Sequence, residues 1–407
     1  MPLIVQKYGG TSVGDLERIA NVARKVAARK DEGNEIVVVV SAMAGETDRL
    51  LDLAKKIHPV PNEREVDVLV STGEQVTVAL LAITLESMGY KAKSYCGWQI
   101  PLQTDSSFGA ARVTDVKKEA VLADLRNGTI VIVAGFQGID ADGNITTLGR
   151  GGSDTSAVAV AAGLKADRCE IFTDVDGVYT TDPNITSKAR KIKAIAYEEM
   201  LEMASLGAKV LYIRAVEFAM RHRVPVVVRS SFNDNDGTLL TEENPEMEKE
   251  SVSAVTCNMK EAKITLSGVA DQPGVASQIF APLAAANIVV DMIIQNSSAD
   301  GKADLTFTVP EADLTKALEI CRDIKNRLGA SDLVGCNDIA KVSIIGLGMR
   351  SHAGVASTMF TALADEGINI QMISTSEIKI SCVIQKKYAE LAVRTLHDTF
   401  GLEKSRS

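Results

Sequence analysis

The chain has 407 residues, 46% of them hydrophobic and 24% charged, which predicts a soluble globular protein of two or three domains. Its formal net charge of −9 argues against nucleic acid or an anionic membrane surface as the main partner. The six cysteines form no CxxC pair, and no run approaches the ~18 uninterrupted apolar residues of a membrane span. These features disfavour zinc-binding, disulfide-rich and membrane-spanning classes, and we expect a cytoplasmic protein.

Short apolar runs alternate with helical patterns through the first half of the chain. Runs rich in β-branched residues predict buried strands at 3–5, 36–40, 130–134 and 224–229. Amphipathic or small-residue patterns predict helices at 16–29, 74–88 and 156–163. This alternation indicates an α/β domain whose largely parallel sheet is covered by helices.

An internal repeat follows a turn cluster at 233–237 and an acidic segment at 241–250. Lys263-Ile-Thr-Leu-Ser-Gly268 matches Lys341-Val-Ser-Ile-Ile-Gly346, and Gly274-Val-Ala-Ser277 recurs at 354–357. Each copy predicts the βαββαβ pattern of a ferredoxin-like unit. The predicted domains are a catalytic domain at 1–246, a linker and strand at 247–262, and two repeats at 263–337 and 338–407.

A lysine and two glycines follow the first predicted strand, in Lys7-Tyr-Gly-Gly-Thr-Ser12. The glycines let backbone N–H groups approach an anion at a helix N-terminus, and Lys7 can neutralise charge on a transferred phosphoryl group. The pattern is not the P-loop GxxxxGK[ST]. By itself it also fits a plain strand–turn–helix connection.

An arginine flanked by three glycines occurs in Leu148-Gly-Arg-Gly-Gly-Ser-Asp-Thr155, just before a predicted helix. A helix N-cap explains one polar residue there but not the arginine. The glycines leave room for a ligand against the backbone, and Arg150 offers a bidentate fork for a carboxylate. The motif therefore predicts a binding loop.

Three more polar loops, at 41–47, 71–74 and 173–183, each follow an apolar run. Each loop alone also fits an ordinary surface turn. Ligands of open α/β sheets bind at the carboxyl ends of the strands, so we expect these loops to converge on one cleft.

Taken together, the motifs at 7–12, 149–154, 172–183 and 208–211 resemble those of the aspartate kinases, in the amino-acid-kinase superfamily. The segments 230–232 and 371–378 resemble the same family, so the resemblance runs essentially end to end. It implies a carbamate-kinase-like three-layer αβα sandwich with a mainly parallel central sheet. The repeats resemble ACT domains, so two ferredoxin-like βαββαβ ACT domains are expected to follow.

The resemblance implies transfer of the ATP γ-phosphoryl group to the β-carboxylate of L-aspartate, with Mg²⁺ on the ATP phosphates. No general base is needed, because that carboxylate is already ionised at neutral pH. The implied catalytic residues are Lys7, Asp154 and Lys209. The implied nucleotide site comprises Lys7, Gly9, Gly10, Thr173, Asp174, Tyr179 and Lys209. The implied aspartate site comprises Ser41, Thr47, Glu74, Arg150 and Ser153.

The ACT-like repeats imply feedback regulation by lysine, threonine or both. The implied effector residues are Asp271, Val290, Asp291 and Gln295 from one repeat and Asn369, Ile370, Thr375 and Glu377 from the other. The resemblance also implies a homodimer through the ACT domains or a tetramer, with a separate regulatory subunit starting at Met247 as a further hypothesis. The alternative is that the repeats serve only for dimerisation.

Two competing functions are open at this point. The first is a related kinase acting on glutamate, acetylglutamate, carbamate or a nucleoside monophosphate. The second is an amino-acid sensor whose kinase half has decayed, which the retention of Lys7, Asp154 and Lys209 argues against.

Overall fold

The computed structural model of the protein describes residues 1–100, 102–206, 210–245, 247, 250–297 and 301–404. They form two compact units. Unit 1 comprises Met1–Tyr179 with Lys191–Met247, and unit 2 comprises Thr180–Arg190 with Glu248–Ser407.

Unit 1 is built on an eight-stranded sheet with the strand order β10-β12-β11-β9-β1-β2-β6-β3. Its strands are β1 Leu3–Tyr8, β2 Glu35–Val40, β3 Ala92–Tyr95, β6 Ile130–Ala134, β9 Arg168–Thr173, β10 Ala194–Ala196, β11 Val226–Ser230 and β12 Thr238–Thr241. All neighbours are parallel except the β11–β12 pair, which is antiparallel. The predicted, mainly parallel sheet is therefore confirmed.

Helices cover this sheet on both faces. They are α1 Leu16–Asp31, α2 Glu46–Ile57, α3 Glu63–Val70, α4 Thr72–Ser87, α5 Glu119–Arg126, α6 Gly152–Leu164, α7 Tyr197–Ser205 and α8 Ile213–His222. Helices α1 and α4 share a buried apolar cluster with alternate residues of β1, β2 and β6. Helix α6, nearly all of whose residues are buried, packs against β1, β2 and β9 and against α8. The predicted three-layer αβα sandwich is confirmed.

A second, four-stranded sheet in unit 1 was not foreseen. Its strands are β4 Leu102–Thr104, β5 Val113–Val116, β7 Gln137–Ile139 and β8 Ile145–Thr147, in the order β5-β4-β7-β8. They are three or four residues long, which is too short for a clear alternating pattern in sequence.

One helical run in the described part of the chain, Glu63–Ser87, is long and apolar enough to cross a membrane by length and composition, with a mean hydropathy of 1.7. Half of its most apolar window is buried inside the protein. Val78, Leu81 and Leu85 of this run lie in the core cluster of unit 1. These contacts are those of a core helix.

Unit 2 contains two antiparallel sheets, in the orders β15-β16-β14-β17 and β13-β18-β20-β19. The strands are β13 Ala254–Asn258, β14 Glu261–Ala270, β15 Ile293–Ser297, β16 Lys302–Pro310, β17 Asp332–Cys336, β18 Ile339–Ile345, β19 Met372–Thr375 and β20 Lys379–Gln385. The helices are α9 Val275–Ala285, α10 Leu314–Leu328, α11 Val355–Asp365 and α12 Ala389–Thr399. Strand β13 pairs with β18 and holds the position in the second sheet that β17 holds in the first.

The segment Thr180–Arg190 packs with unit 2, although the predicted catalytic domain at 1–246 includes it. The Thr180 carbonyl accepts a hydrogen bond from the Val255 N–H at 2.8 Å. The Thr180 hydroxyl lies 2.9 Å from His397 Nε2, and Lys188 pairs with Asp398 at 2.8 Å. This segment directly follows the 173–179 loop, so the chain passes from that loop straight into unit 2.

Candidate active site

Four neighbouring parallel strands, β9, β1, β2 and β6, end at the same edge of the large sheet. Lys7 of β1 is in register with Val39 of β2 and Ile171 of β9, close to that edge. Ser41 directly follows β2, and Thr173 is the last residue of β9. The sheet topology therefore brings the predicted loops to one edge.

A buried ion pair joins β1 to the first turn of α6. Lys7 Nζ lies 2.6 Å from Asp154 Oδ1, and the two side chains are only 11% and 6% exposed. Such a pair is retained in a buried site only if its geometry is good, and it fixes the ammonium group in place. The positive end of the α6 dipole lies beside it. This arrangement suits an anionic ligand.

Two glycines allow the backbone to approach closely beside this pair. A Cβ on Gly10 would lie 2.9 Å from the Ala42 carbonyl oxygen, and a Cβ on Gly9 would lie 3.2 Å from Lys7 Nζ. Any side chain at Gly10 would push the turn away from the loop after β2. The turn is also tied to the end of β11, since the hydroxyls of Ser12 and Ser231 lie 2.5 Å apart.

Glu74, in the first turn of α4, is a buried carboxylate that has no cation beside it among the described residues. It is 2% exposed, and Oε1 accepts a hydrogen bond from the Ala42 N–H at 3.1 Å. Its other oxygen, Oε2, is buried without a hydrogen-bond partner in the described part of the chain. Burial raises the pKa of Glu74 to about 7. A cationic ligand group would satisfy this oxygen and favour the ionised carboxylate.

Two serines and a threonine lie around the same edge. Ser41 is half-buried, and its N–H donates to the Tyr8 carbonyl at 3.1 Å. Ser153 is buried against Gly135, where a Cβ would lie 2.9 Å from the Ser153 hydroxyl oxygen. Thr47 is half-buried in the first turn of α2.

Arg150 is exposed and makes no hydrogen bond or ion pair with the residues that the structure describes. Its neighbours Gly149 and Gly151 have φ of +73° and +69°. A Cβ on Gly151 would lie 2.1 Å from Tyr212 Cγ, so glycine is required there. The loop is shaped by its backbone, which leaves the guanidinium free.

The predicted nucleotide loop begins at Thr173, whose hydroxyl donates to Asp174 Oδ1 at 3.1 Å. The Thr173 carbonyl accepts from the Ser231 N–H at 2.9 Å. The Tyr179 hydroxyl donates to Asp176 at 2.6 Å, and this bond raises the pKa of Tyr179 to about 12. Lys209 lies outside the described residues.

Most of the predicted effector residues are exposed on or beside β15 and β19, the edge strands of their sheets. Asp291 pairs with the buried Lys341 of the second repeat, and Lys341 also pairs with Glu261 at 2.6 Å. Burial opposes the charge of Lys341, yet the two carboxylates raise its pKa. Glu377 lies 3.7 Å from Arg350. Asp271 makes no ion pair among the described residues. The remaining predicted effector residues have uncharged side chains: Val290, Gln295, Asn369, Ile370 and Thr375.

A cavity of about 410 Å³ lies on the other face of the sheet, between α1 and β9–β11. Gln6 lines it, next to Lys7 in sequence but pointing to the opposite face. The cations there already have carboxylate partners, since Arg29 and Arg229 both lie 3.6 Å from the buried Glu170. None of the predicted phosphate-binding residues that the structure describes, Lys7, Gly9 and Gly10, lines this cavity.

Asp67 and Arg214, which were not predicted from the sequence, bind the backbone of Thr147 and Leu148 just before Arg150. Asp67 is 1% exposed and sits in the otherwise apolar run Val66–Val70 of α3. A lone charge in such a run was the available signal, because a buried carboxylate needs partners.

The chain is similar to known proteins over nearly its whole length. A model of the amino acid kinase family matches residues 2–230, and an ACT domain model matches residues 264–323 and 342–400. An aspartate kinase of Stutzerimonas stutzeri (strain A1501) is 58% identical over 404 residues, covering 99% of this chain and 98% of that protein.

Two solved structures of E. coli aspartokinase III are similar over 98% of this chain and 99% of theirs. The R-state complex with aspartate and ADP is 27% identical, with a TM-score of 0.80. The T-state complex with lysine and aspartate is 28% identical, with a TM-score of 0.78.

Proposed function

The chain belongs to the aspartate kinases of the amino acid kinase family, and from this premise we propose how its own residues perform the reaction. It is a phosphotransferase that converts L-aspartate and ATP into 4-phospho-L-aspartate and ADP. This is the first step of lysine, threonine and methionine biosynthesis. The roles of individual residues below are our proposal.

Lys7 and Asp154 form the phosphate side of the site. Lys7 stabilises the negative charge on the transferring γ-phosphoryl group, and Asp154 keeps its ammonium group in position. Gly9 and Gly10 offer backbone N–H donors to the same phosphates. We assign Lys209 the same role as Lys7 from the sequence motif alone.

Glu74 forms the centre of the aspartate side, and its unpartnered buried oxygen is the observation that carries the proposal. The α-ammonium group of aspartate is the cation that binds it. Arg150 grips the α-carboxylate, while Ser41, Thr47 and Ser153 donate hydrogen bonds around the substrate. Aspartate is thus held at both charges of its α-carbon, which leaves its β-carboxylate free to attack.

Thr173, Asp174 and Tyr179 line the nucleotide site beyond β9. Mg²⁺ is carried mainly by the ATP phosphates, where it neutralises charge during transfer. No group of three His, Cys, Asp or Glu side chains in the described ranges is placed to hold a metal ion.

Unit 2 senses an end product of the pathway, and we propose lysine as its effector because the related T-state structure contains lysine. Threonine, alone or with lysine, is the second candidate. The effector residues are those on and beside β15 and β19 together with Asp271. A homodimer through the ACT domains or a tetramer, in the cytoplasm, completes the proposal, with Met247 as the start of a separate regulatory subunit.

The test is aspartate-dependent release of ADP by the purified chain, with and without lysine and threonine. Turnover that falls with either amino acid supports both parts of the proposal and identifies the effector. Turnover with glutamate, acetylglutamate or carbamate instead of aspartate would overturn the substrate assignment. Detecting only the full-length chain in the native host would remove the separate subunit.

A further inference from the structure

A buried carboxylate lies beneath the loop that carries Arg150. The carboxylate of Asp67 accepts hydrogen bonds from the Gly109 N–H at 2.9 Å and the Thr147 N–H at 2.8 Å. It also accepts one from the Thr147 hydroxyl at 2.7 Å. Since Asp67 makes no ion pair with the described residues, these donors alone compensate its burial. Burying a carboxylate costs desolvation free energy, so we infer that Asp67 has a role that an apolar residue could not fulfil.

Arg214 of α8 binds the same two segments of backbone. Its guanidinium donates to the Leu148 carbonyl at 2.5 Å and to the Ala111 carbonyl at 2.6 Å. The Ala111 N–H donates in turn to the Thr147 carbonyl at 2.9 Å. Asp67 and Arg214 therefore bind the backbone of the consecutive residues Thr147 and Leu148 and of both ends of the segment 109–111.

The loop that carries Arg150 begins directly after the segment 147–148, which Asp67 and Arg214 bind. We call these two residues the clamp. On the far side, the Gly152 N–H donates to the Gly149 carbonyl at 2.9 Å, where α6 begins. The ring of Tyr212, two residues before Arg214, packs against Gly151. The backbone of Arg150 is thus fixed on both sides, although its side chain is exposed and unpaired among the described residues.

We propose that Asp67 and Arg214 are positioning residues for the aspartate substrate, which hold the backbone of Arg150 where its guanidinium meets the α-carboxylate. This inference rests on the proposed role of Arg150. A displacement of about 1 Å at a substrate-binding group can cost about 100-fold in rate, so the clamp has a large effect without touching substrate. The phosphate side, fixed by Lys7 and Asp154 on β1 and α6, does not depend on it.

The test uses Asp67→Asn and Arg214→Lys in the full-length chain, with KM for aspartate, KM for ATP and kcat measured separately. Asp67→Asn keeps the shape but turns an amide N–H toward backbone donors. Arg214→Lys keeps the charge but lacks the planar fork whose two nitrogens each donate to one carbonyl. For both we expect KM for aspartate to rise about 10- to 100-fold while KM for ATP changes less than about twofold. Asp115→Asn, an exposed carboxylate on β5, is the control and leaves both constants unchanged.

A double-mutant cycle with Arg150→Ala separates positioning from general stability. If Asp67 acts through Arg150, then Asp67→Asn adds no further loss of aspartate affinity to Arg150→Ala. Additive losses, or equal rises of KM for both substrates, would overturn the inference while leaving Arg150 as the carboxylate ligand. An Arg150→Ala variant with unchanged KM for aspartate would instead refute the proposed role of Arg150 itself.

Thr147→Val provides the milder variant if Asp67→Asn does not fold. It removes one of the donors to Asp67 and leaves the two backbone donors. A rise of about threefold or more in KM for aspartate, with unchanged KM for ATP, supports the clamp. An unchanged KM for aspartate in both Thr147→Val and Arg214→Lys contradicts it.

Discussion

Two buried carboxylates at one sheet edge, Asp154 and Glu74, are built in opposite ways. Asp154 has its cation within the fold, 2.6 Å away on Lys7. Glu74 has only one backbone N–H on Oε1 and nothing on Oε2 among the described residues. Under the proposed roles, the difference teaches that a paired charge orients a group that acts on a ligand, whereas an unpaired buried charge is kept for a ligand that brings the opposite charge.

The largest expected effect comes from breaking the paired side. Lys7→Ala removes the cation that we propose faces the transferring phosphoryl group, and we expect kcat to fall about 1,000-fold with little change in KM for aspartate. Steady-state ADP release measures both constants. Lys25→Ala is the matched control, because its partner Asp234 is fully exposed and such surface pairs contribute little. A Lys7→Ala variant with full activity would refute the phosphate role.

Breaking the unpaired side affects substrate capture instead. Glu74→Gln keeps the shape but removes the charge, and we expect kcat/KM for aspartate to fall about 100-fold while KM for ATP stays within about twofold. In the protein without ligand, the pKa of the Glu74 carboxyl is about 7. The carboxyl is therefore protonated at lower pH, and we expect wild-type kcat/KM for aspartate to fall as the pH decreases below 7. The variant should lack that part of the pH profile. An identical profile in both proteins would contradict the role of Glu74.

The same charge should cost stability. The folded pKa of Glu74, about 7, lies above its ordinary value of 4.5, so the folded state binds the proton more tightly. Its contribution therefore destabilises the fold as pH rises from 4.5 to 7, by up to about 3 kcal/mol. We expect Glu74→Gln to gain stability relative to wild type between pH 5 and pH 8, as measured by urea denaturation midpoints. A pH-independent difference between the two proteins would exclude this cost.

The smallest expected effect is on the pH dependence of the stability of unit 2, through His397. This residue extends the comparison from the two buried carboxylates to a base that is buried in its uncharged form. Burial lowers its pKa below the ordinary value of 6.5, although Asp398 acts in the opposite direction. A lowered pKa means that stability is present above pH 6.5 and is lost as pH falls through the folded pKa. We expect His397→Gln to weaken the acid sensitivity of unit 2. Hydrogen exchange of α12 and of residues 180–190 at pH 5 and pH 7.5 measures it, and equal acid sensitivity would count against the prediction.

Local patterns along the chain were sufficient for β1, β2, β6 and β11 of the large sheet, for helices α1, α4 and α6, and for the two repeats. Buried parallel strands such as β2 and β6 are continuous runs rich in β-branched residues. Such a strand can be predicted without knowing which strands it pairs with. Helix α6 begins earlier than predicted, at Gly152 rather than Ser156, because its first turn, Gly-Ser-Asp-Thr, lacks the alanines and valines that mark the rest of the helix.

The candidate site was only partly predictable, because local patterns do not report contacts between residues far apart in the chain. Lys7, Arg150 and Glu74 stand in motifs of unusual composition, so the sequence alone marks them as candidates. The pairing of Lys7 with Asp154, the missing partner of Glu74 and the clamp by Asp67 and Arg214 join residues far apart in the chain. Composition and periodicity report what a residue prefers locally, whereas burial and the distance to an opposite charge exist only after the chain has folded. The tertiary structure therefore decided which of these charges are paired and which are free for a ligand.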